Sequence, residues 1–193
     1  MPETAPLSDR DLAAYLHAHG VSAELVRPGV PTPTVPEAAR ALGVGPEAIV
    51  KSLVFEIAGQ RAGDAANNGS AVDAVEDGRQ PLLVIAAGEA RVRMPALARA
   101  LGTSRRALRL ASPERTLELT GYAVGSMPPF GHRRVLPTLV DSLSVPTEGV
   151  VFAGGGGRDV LLRVPVDTLL GLTRARRLPL TAQAAEGAKE TNR

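Results

Sequence analysis

The chain has 193 residues, 44% of them hydrophobic and 22% charged, with a formal net charge of +2, a length and balance that suit one domain with a sizeable core. Aromatics make up only 3%, with no Trp, which leaves no base-stacking platform of the RNA-recognition-motif kind, and the small charge argues against a bulk nucleic-acid wrapper or a DNA partner. Cysteine is absent, which removes disulfides, thiolate metal sites and a cysteine nucleophile.

Taken in chain order, Ser8 with Asp11 three residues on opens a helix whose Leu12, Tyr15, Leu16 and His19 share a face, and Gly20 closes it. A short extended stretch follows over 23–27. Thr34 and Glu37 frame a second capping box for a helix from Pro36 to Leu42, with Gly43 as its stop. The run from Ile49 to Ile57 is dense in β-branched residues and reads as a strand. The segment 59–80 carries Asn67-Asn68-Gly69 and Asp77-Gly78, too long and polar for a tight hairpin, so it is expected to be a flexible insertion between two paired strands. The second strand, Pro81 to Ala87, is continuously apolar and should be buried on both faces.

A helix with Pro95 in its first turn then runs to Gly102, and a brief strand covers Ala107 to Ala111. Ser112 caps and Pro113 begins another helix, to about Thr120. Gly121 to Gly131 is too rich in Gly and Pro for regular structure. Three apolar strands, Leu136 to Val140, Val150 to Ala153 and Val160 to Val164, are expected to close the sheet, followed by a helix from Pro165 to Leu172. From Thr181 to Arg193 the composition is small and polar and disorder is expected. The domain is therefore taken as 1–180 with a tail at 181–193. No apolar run reaches membrane-spanning length and the first residues lack a basic and apolar targeting pattern, so a cytoplasmic protein without a membrane partner is expected.

Among 22 basic residues only Lys51 and Lys189 are lysines, and Lys189 falls in the polar tail. Lys51 sits in an apolar strand, where a compact ammonium with a movable pKa is a candidate site residue, or else a side chain that snorkels to water. His17, His19 and His132 have no metal-ligand spacing; His132, after the Gly/Pro loop, is a candidate to line a site, against the expectation that a loop histidine faces solvent. Ser126 lacks the Gly-x-Ser-x-Gly frame of a nucleophile elbow. Gly154 to Gly157 lacks the Gly-Lys-Ser/Thr ending of a phosphate loop and reads as a hairpin turn. Arg105-Arg106, Arg133-Arg134 and the arginines of 174–177 are candidate phosphate contacts against a bland reading as solvated faces.

Three segments in fixed order carry a resemblance: Glu37 to Val44 leading to Val50-Lys51-Ser52-Leu53-Val54-Phe55; Gly121-Tyr122 leading to Gly125-Ser126-Met127-Pro128-Pro129-Phe130-Gly131; and Leu136 to Asp141. Over about Leu12 to Leu172 the chain resembles the YbaK family, free-standing relatives of the editing domain of bacterial prolyl-tRNA synthetases. The resemblance implies an α+β single domain with a curled mixed β-sheet flanked by helices, and hydrolysis of mischarged aminoacyl-tRNA of the Cys-tRNA(Pro) or Ala-tRNA(Pro) type. It implies Lys51 and Gly125 as catalytic residues, with Gly125 and Pro129 forming the family's Gly-x-x-x-Pro loop. Ser52, Ser126, Met127, Pro129, Asp141, Gly154 and Gly155 would bind substrate. Many relatives have Gly where Ser126 stands and Ser where Pro128 stands, two changes that reshape the pocket.

The chemistry is physically coherent, since an aminoacyl ester is already activated and needs positioning, a held water and charge stabilisation more than a strong nucleophile. No metal or organic cofactor is implied. The partners implied are mischarged tRNA and, as a second candidate, a prolyl-tRNA synthetase. Two alternatives stay open: a non-catalytic module binding aminoacyl-tRNA or a synthetase, and a hydrolase of another small ester.

Overall fold

The computed structural model describes residues 5–58 and 78–182. The elements are α1 (Asp9–Ala18), β1 (Glu24–Val26), α2 (Val35–Leu42), β2 (Val50–Ala58), β3 (Arg79–Ala87), α3 (Met94–Ala100), β4 (Leu108–Leu110), α4 (Pro113–Thr120), β5 (Thr138–Asp141), β6 (Val150–Gly154), β7 (Leu161–Pro165), α5 (Val166–Thr173) and β8 (Arg176–Leu178). The architecture is the α+β single domain expected.

The helix boundaries follow from local chemistry. The Asp11 carboxylate accepts from the Ser8 N–H and O–H at 2.8 and 2.7 Å, closing the first turn of α1. Thr34 and Glu37 do the same for α2, which ends on Gly43 at φ 67. Ser112 caps α4 by accepting from the Arg115 N–H at 3.2 Å.

Five strands form a mixed sheet in the order β4-β2-β3-β5-β8, and three more form an antiparallel group in the order β1-β7-β6. The three late strands thus divide, β5 joining the large sheet in parallel with β3 while β6 and β7 pair with each other and with β1. A single bridge between Ile49 and Phe152 joins the groups, and the sheet curls at that seam. β8 had no sequence signal, for it is a three-residue strand held in parallel beside β5.

β3 explains its own composition. Leu83, Ile85 and Ala87 face the larger core with Leu12, Val54, Val140, Val151 and Leu162, whereas Leu82 and Val84 face a second cluster with Leu97, Leu101 and Leu139. Alternation puts each set on one face, and burial of both removes every polar residue from Leu82 to Ala87. Each fully buried Leu or Ile contributes about 1.5–3 kcal/mol relative to exposure.

β2 carries one buried charge. Glu56 is 1% exposed and its carboxylate accepts from Arg109 Nε on β4 at 2.7 Å and Arg115 Nε on α4 at 3.1 Å. Most of the expected insertion lies outside the described residues, and its last members, Arg79 and Gln80, are already part of β3, opposite Ala58 and Ile57.

Two further expectations need correction. Thr181 does not begin an unstructured tail: it is 5% exposed and bonded to Asp141 through both its N–H and its hydroxyl. Residues 183–193 lie outside the described residues. The arginines of 174–177 are not one phosphate patch either, since Arg177 donates to the carbonyls of Val145 and Pro146 at 2.6 and 2.9 Å and so clamps the loop after β5.

Candidate active site

The ladder between β2 and β4 covers only Phe55 to Ile57, so among the described residues no strand pairs with Val50 to Leu53 on that side. The open edge faces the seam between the two strand groups. A cleft of about 290 Å³ opens there, floored by Val50, Lys51, Ser52 and Leu53 and walled by Thr32 to Val35, Gly125, Met127 and Gly154. The segment before α2 is held in place by the Thr32 N–H, which donates to the Arg158 carbonyl at 3.0 Å.

Side chains alternate along a strand, so Lys51 and Ser52 leave β2 on opposite faces and the cleft wraps the edge between them. Lys51 is half-buried, and its Nζ donates to the Gly88 carbonyl at 3.1 Å. Desolvation by burial lowers its pKa; Glu89 opposes this shift and Arg91 adds to it. Among the described residues, Lys51 is the only ionisable side chain lining the cleft. The Ser52 hydroxyl donates to the Pro128 carbonyl at 3.3 Å, holding the Gly/Pro loop against β2.

That loop depends on two glycines for different reasons. Gly125 has φ +91, and a Cβ there would meet only the Pro33 carbonyl, at 3.8 Å, so backbone conformation rather than space excludes a side chain. Gly154, on β6, is the reverse: a Cβ would lie 2.6 Å from the Ser126–Met127 peptide. The loop packs against bare backbone, and the Gly156 N–H donates to the Ser126 carbonyl at 2.8 Å.

The structure brings together Lys51, Ser52, Gly125, Met127 and Gly154 of the expected site. It leaves out four. The Ser126 hydroxyl turns back to the Ala123 carbonyl at 3.1 Å and the residue is buried. Pro129 lines a separate hollow of about 80 Å³ with Tyr15, Phe130 and His132. Gly155 donates its N–H to the Val160 carbonyl at 3.1 Å and serves the turn, not the cleft.

Asp141 is the clearest correction. It is 0% exposed, and its carboxylate accepts from Ser144 N and Oγ, Leu180 N, and Thr181 N and Oγ1, so no oxygen is left to meet a substrate. Burial raises its pKa, but the hydrogen bonds from Ser144, Thr181 and Leu180 outweigh burial and leave it below the ordinary carboxylate value.

His132 also departs from expectation, for it is part-buried with Nε2 2.8 Å from the Pro128 carbonyl. Sequence reading missed the apolar wall contributed by Val35, Ala38, Ile49 and Leu161. Those residues carry ordinary core signals, and only the curl of the sheet turns them toward a cleft.

Chemically, the cleft offers one ammonium, backbone groups of a glycine loop, and apolar walls. Among the described residues its lining holds no histidine or carboxylate to activate a serine. Such a site can orient a substrate that is already activated and stabilise charge that develops on it.

Residues 30–172 match the family described as the aminoacyl-tRNA editing domain. Among solved structures, the chain is 33% identical to a candidate trans-editing enzyme for prolyl-tRNA synthetase, with TM-score 0.69, covering 93% of this chain and 99% of that one. It is 29% identical to a scaffold protein used for epitope backbone grafting, with TM-score 0.69 over 91% and 97% of the two chains. It is 25% identical to a hypothetical protein, with TM-score 0.67 over 89% and 99%. No curated protein matches. The fold is thus that of an editing domain, and the chain belongs to the YbaK-like aminoacyl-tRNA editing domain family.

Proposed function

We propose that this protein is a trans-acting deacylase that hydrolyses the ester of a mischarged tRNA, with Ala-tRNA(Pro) or Cys-tRNA(Pro) as the substrate type. Lys51 carries the reading: a half-buried ammonium in a largely apolar cleft that Gly125 also lines is suited to an anionic or strongly polarised ligand. In this reading the ammonium meets the terminal adenosine or its phosphate and orients the ester. Backbone groups around Gly125 hold the aminoacyl end and a water, which attacks the ester carbonyl; the tRNA hydroxyl leaves with a proton and the free amino acid departs. No side-chain nucleophile is used, which agrees with the lining.

Apolar walls and a small volume favour a short side chain, because rejection by size works against larger residues. The family membership and the 33% identical candidate trans-editing enzyme support the same assignment. Prolyl-tRNA synthetase is the proposed partner and the cytoplasm the proposed location; no helix among the described residues is long and apolar enough to cross a membrane.

Release of amino acid from a panel of mischarged tRNAs tests the proposal. Hydrolysis of Ala- or Cys-tRNA(Pro) and sparing of Pro-tRNA(Pro) is expected. Binding of mischarged tRNA without release would instead make the protein a recognition module, and hydrolysis of small esters alone would make it a different hydrolase.

A further inference from the structure

The Pro128 carbonyl receives two donors. Ser52 Oγ on β2 reaches it at 3.3 Å, and His132 Nε2 reaches it at 2.8 Å. His132 does not line the cleft; it lines the smaller hollow with Tyr15 and Phe130. Its ring rests edge-on against Tyr122, with centroids 6.1 Å apart and planes at 66°.

A carbonyl offers only acceptor sites, so the nitrogen facing it carries the hydrogen and the ring is the Nε2–H tautomer. Burial pushes the His132 pKa down to about 4, and the hydrogen bond with Pro128 only partly opposes this, so the neutral ring is the form present at neutral pH. Two residues earlier, the Ser126 carbonyl accepts from the Gly156 N–H at 2.8 Å. The Ser126–Met127 and Pro128–Pro129 peptides are therefore both anchored, and Met127 and Gly125 line the cleft.

We propose that His132 is a positioning residue, whose Nε2–H bond to the Pro128 carbonyl fixes the Gly125 to Met127 wall of the cleft from outside the cleft. The inference rests on the hydrolytic reading given above. One neutral hydrogen bond adds little to folding, yet a reacting group displaced by about 1 Å can lose about 10²-fold in rate. The longer Ser52 bond is the weaker restraint of the pair, so loss of His132 leaves the loop in place but loosely aimed. The expected mark is a fall in kcat at nearly constant KM.

The test compares wild type with His132→Leu, which fills the space without a donor, and His132→Gln, whose amide nitrogen can stand near Nε2. On the substrate identified by the tRNA panel, His132→Leu should lose about tenfold in kcat and His132→Gln should stay within about threefold of wild type. Amide hydrogen exchange at Gly156 should quicken in His132→Leu and not in His132→Gln. Equal activity of wild type and His132→Leu, or equal loss in both variants, would overturn the proposal. If wild type hydrolyses no member of the panel, the deacylase reading fails by itself, and the exchange comparison still decides whether His132 holds the loop. Nitrogen NMR of the wild-type imidazole needs no variant: an Nδ1–H tautomer would overturn the bond to Pro128, and an Nε2–H tautomer supports it.

Discussion

The Lys51 ammonium donates to the Gly88 carbonyl 3.1 Å away, and this bond places the one charged side chain that the described residues contribute to the cleft. Ala86 is the cross-strand partner of Lys51, so Gly88 is its diagonal neighbour just past the end of β3. An ammonium has three N–H donors, and the other two remain available to a ligand. Lys51→Ala should lower single-turnover deacylation by about 10². Lys51→Arg should fail too, because a larger, planar guanidinium cannot put the same point charge beside the same carbonyl. Both variants should unfold within a few degrees of wild type. A wild-type rate for either would remove the point-charge role of Lys51.

Gly125 and Gly154 should respond differently to the same methyl group. Gly125→Ala must hold φ +91, which costs about 1–2 kcal/mol of stability, and its methyl enters the cleft. Gly154→Ala drives a Cβ to 2.6 Å from the Ser126–Met127 peptide, so the loop must move off β6. Gly154→Ala is therefore expected to lose more activity than Gly125→Ala at a similar or greater loss of stability. Thermal unfolding together with single-turnover rates checks this; a fully active Gly154→Ala would show that the loop position is immaterial.

Acid should act in two separate windows. His132 is neutral in the fold, with a pKa of about 4 against 6.5 for the ordinary group, so the unfolded chain binds the extra proton first. Its contribution is complete above pH 6.5 and is lost as pH falls toward 4, by at most about 3 kcal/mol. Asp141 has a lowered pKa, so its contribution is present above the ordinary carboxylate value and is lost below it. Denaturant unfolding from pH 7 to 3 should show both slopes. His132→Gln should flatten the first and Asp141→Asn the second; an unchanged upper slope in His132→Gln would assign it to other groups.

Glu56→Ala should be among the most damaging single changes outside the cleft. It strips a buried carboxylate from Arg115, whose side chain is only 15% exposed and which keeps just Glu118 as its acidic partner. Removing one member of a buried pair typically costs about 3–5 kcal/mol. Denaturant midpoints would measure it, and a loss under about 1 kcal/mol would mean that water reaches Arg115 freely.

Signals confined to a few neighbouring residues were legible without any structure. Ser8 with Asp11, Thr34 with Glu37, and Ser112 before Pro113 each start a helix, because a cap needs only a side chain within reach of its own first turn. The unbroken apolar run of β3 announced two buried faces for a similar reason, since alternation ties each residue to one face. Lys51 was conspicuous by composition, and the order of the three segments around it marked the family.

Tertiary structure alone decided which of those residues meet. Asp141 lies close in sequence to the loop, yet it is turned away to bond Leu180 and Thr181, about forty positions later, and no local pattern encodes a partner at that separation. Ser126 and Pro129 stand in the same loop as Gly125, but the direction of each side chain follows from the peptide anchored at Ser126 by Gly156 and at Pro128 by Ser52 and His132. Residue types and capping chemistry are properties of the chain; the cleft lies beside the Ile49–Phe152 bridge that joins the two strand groups, and only the packed fold sets that junction.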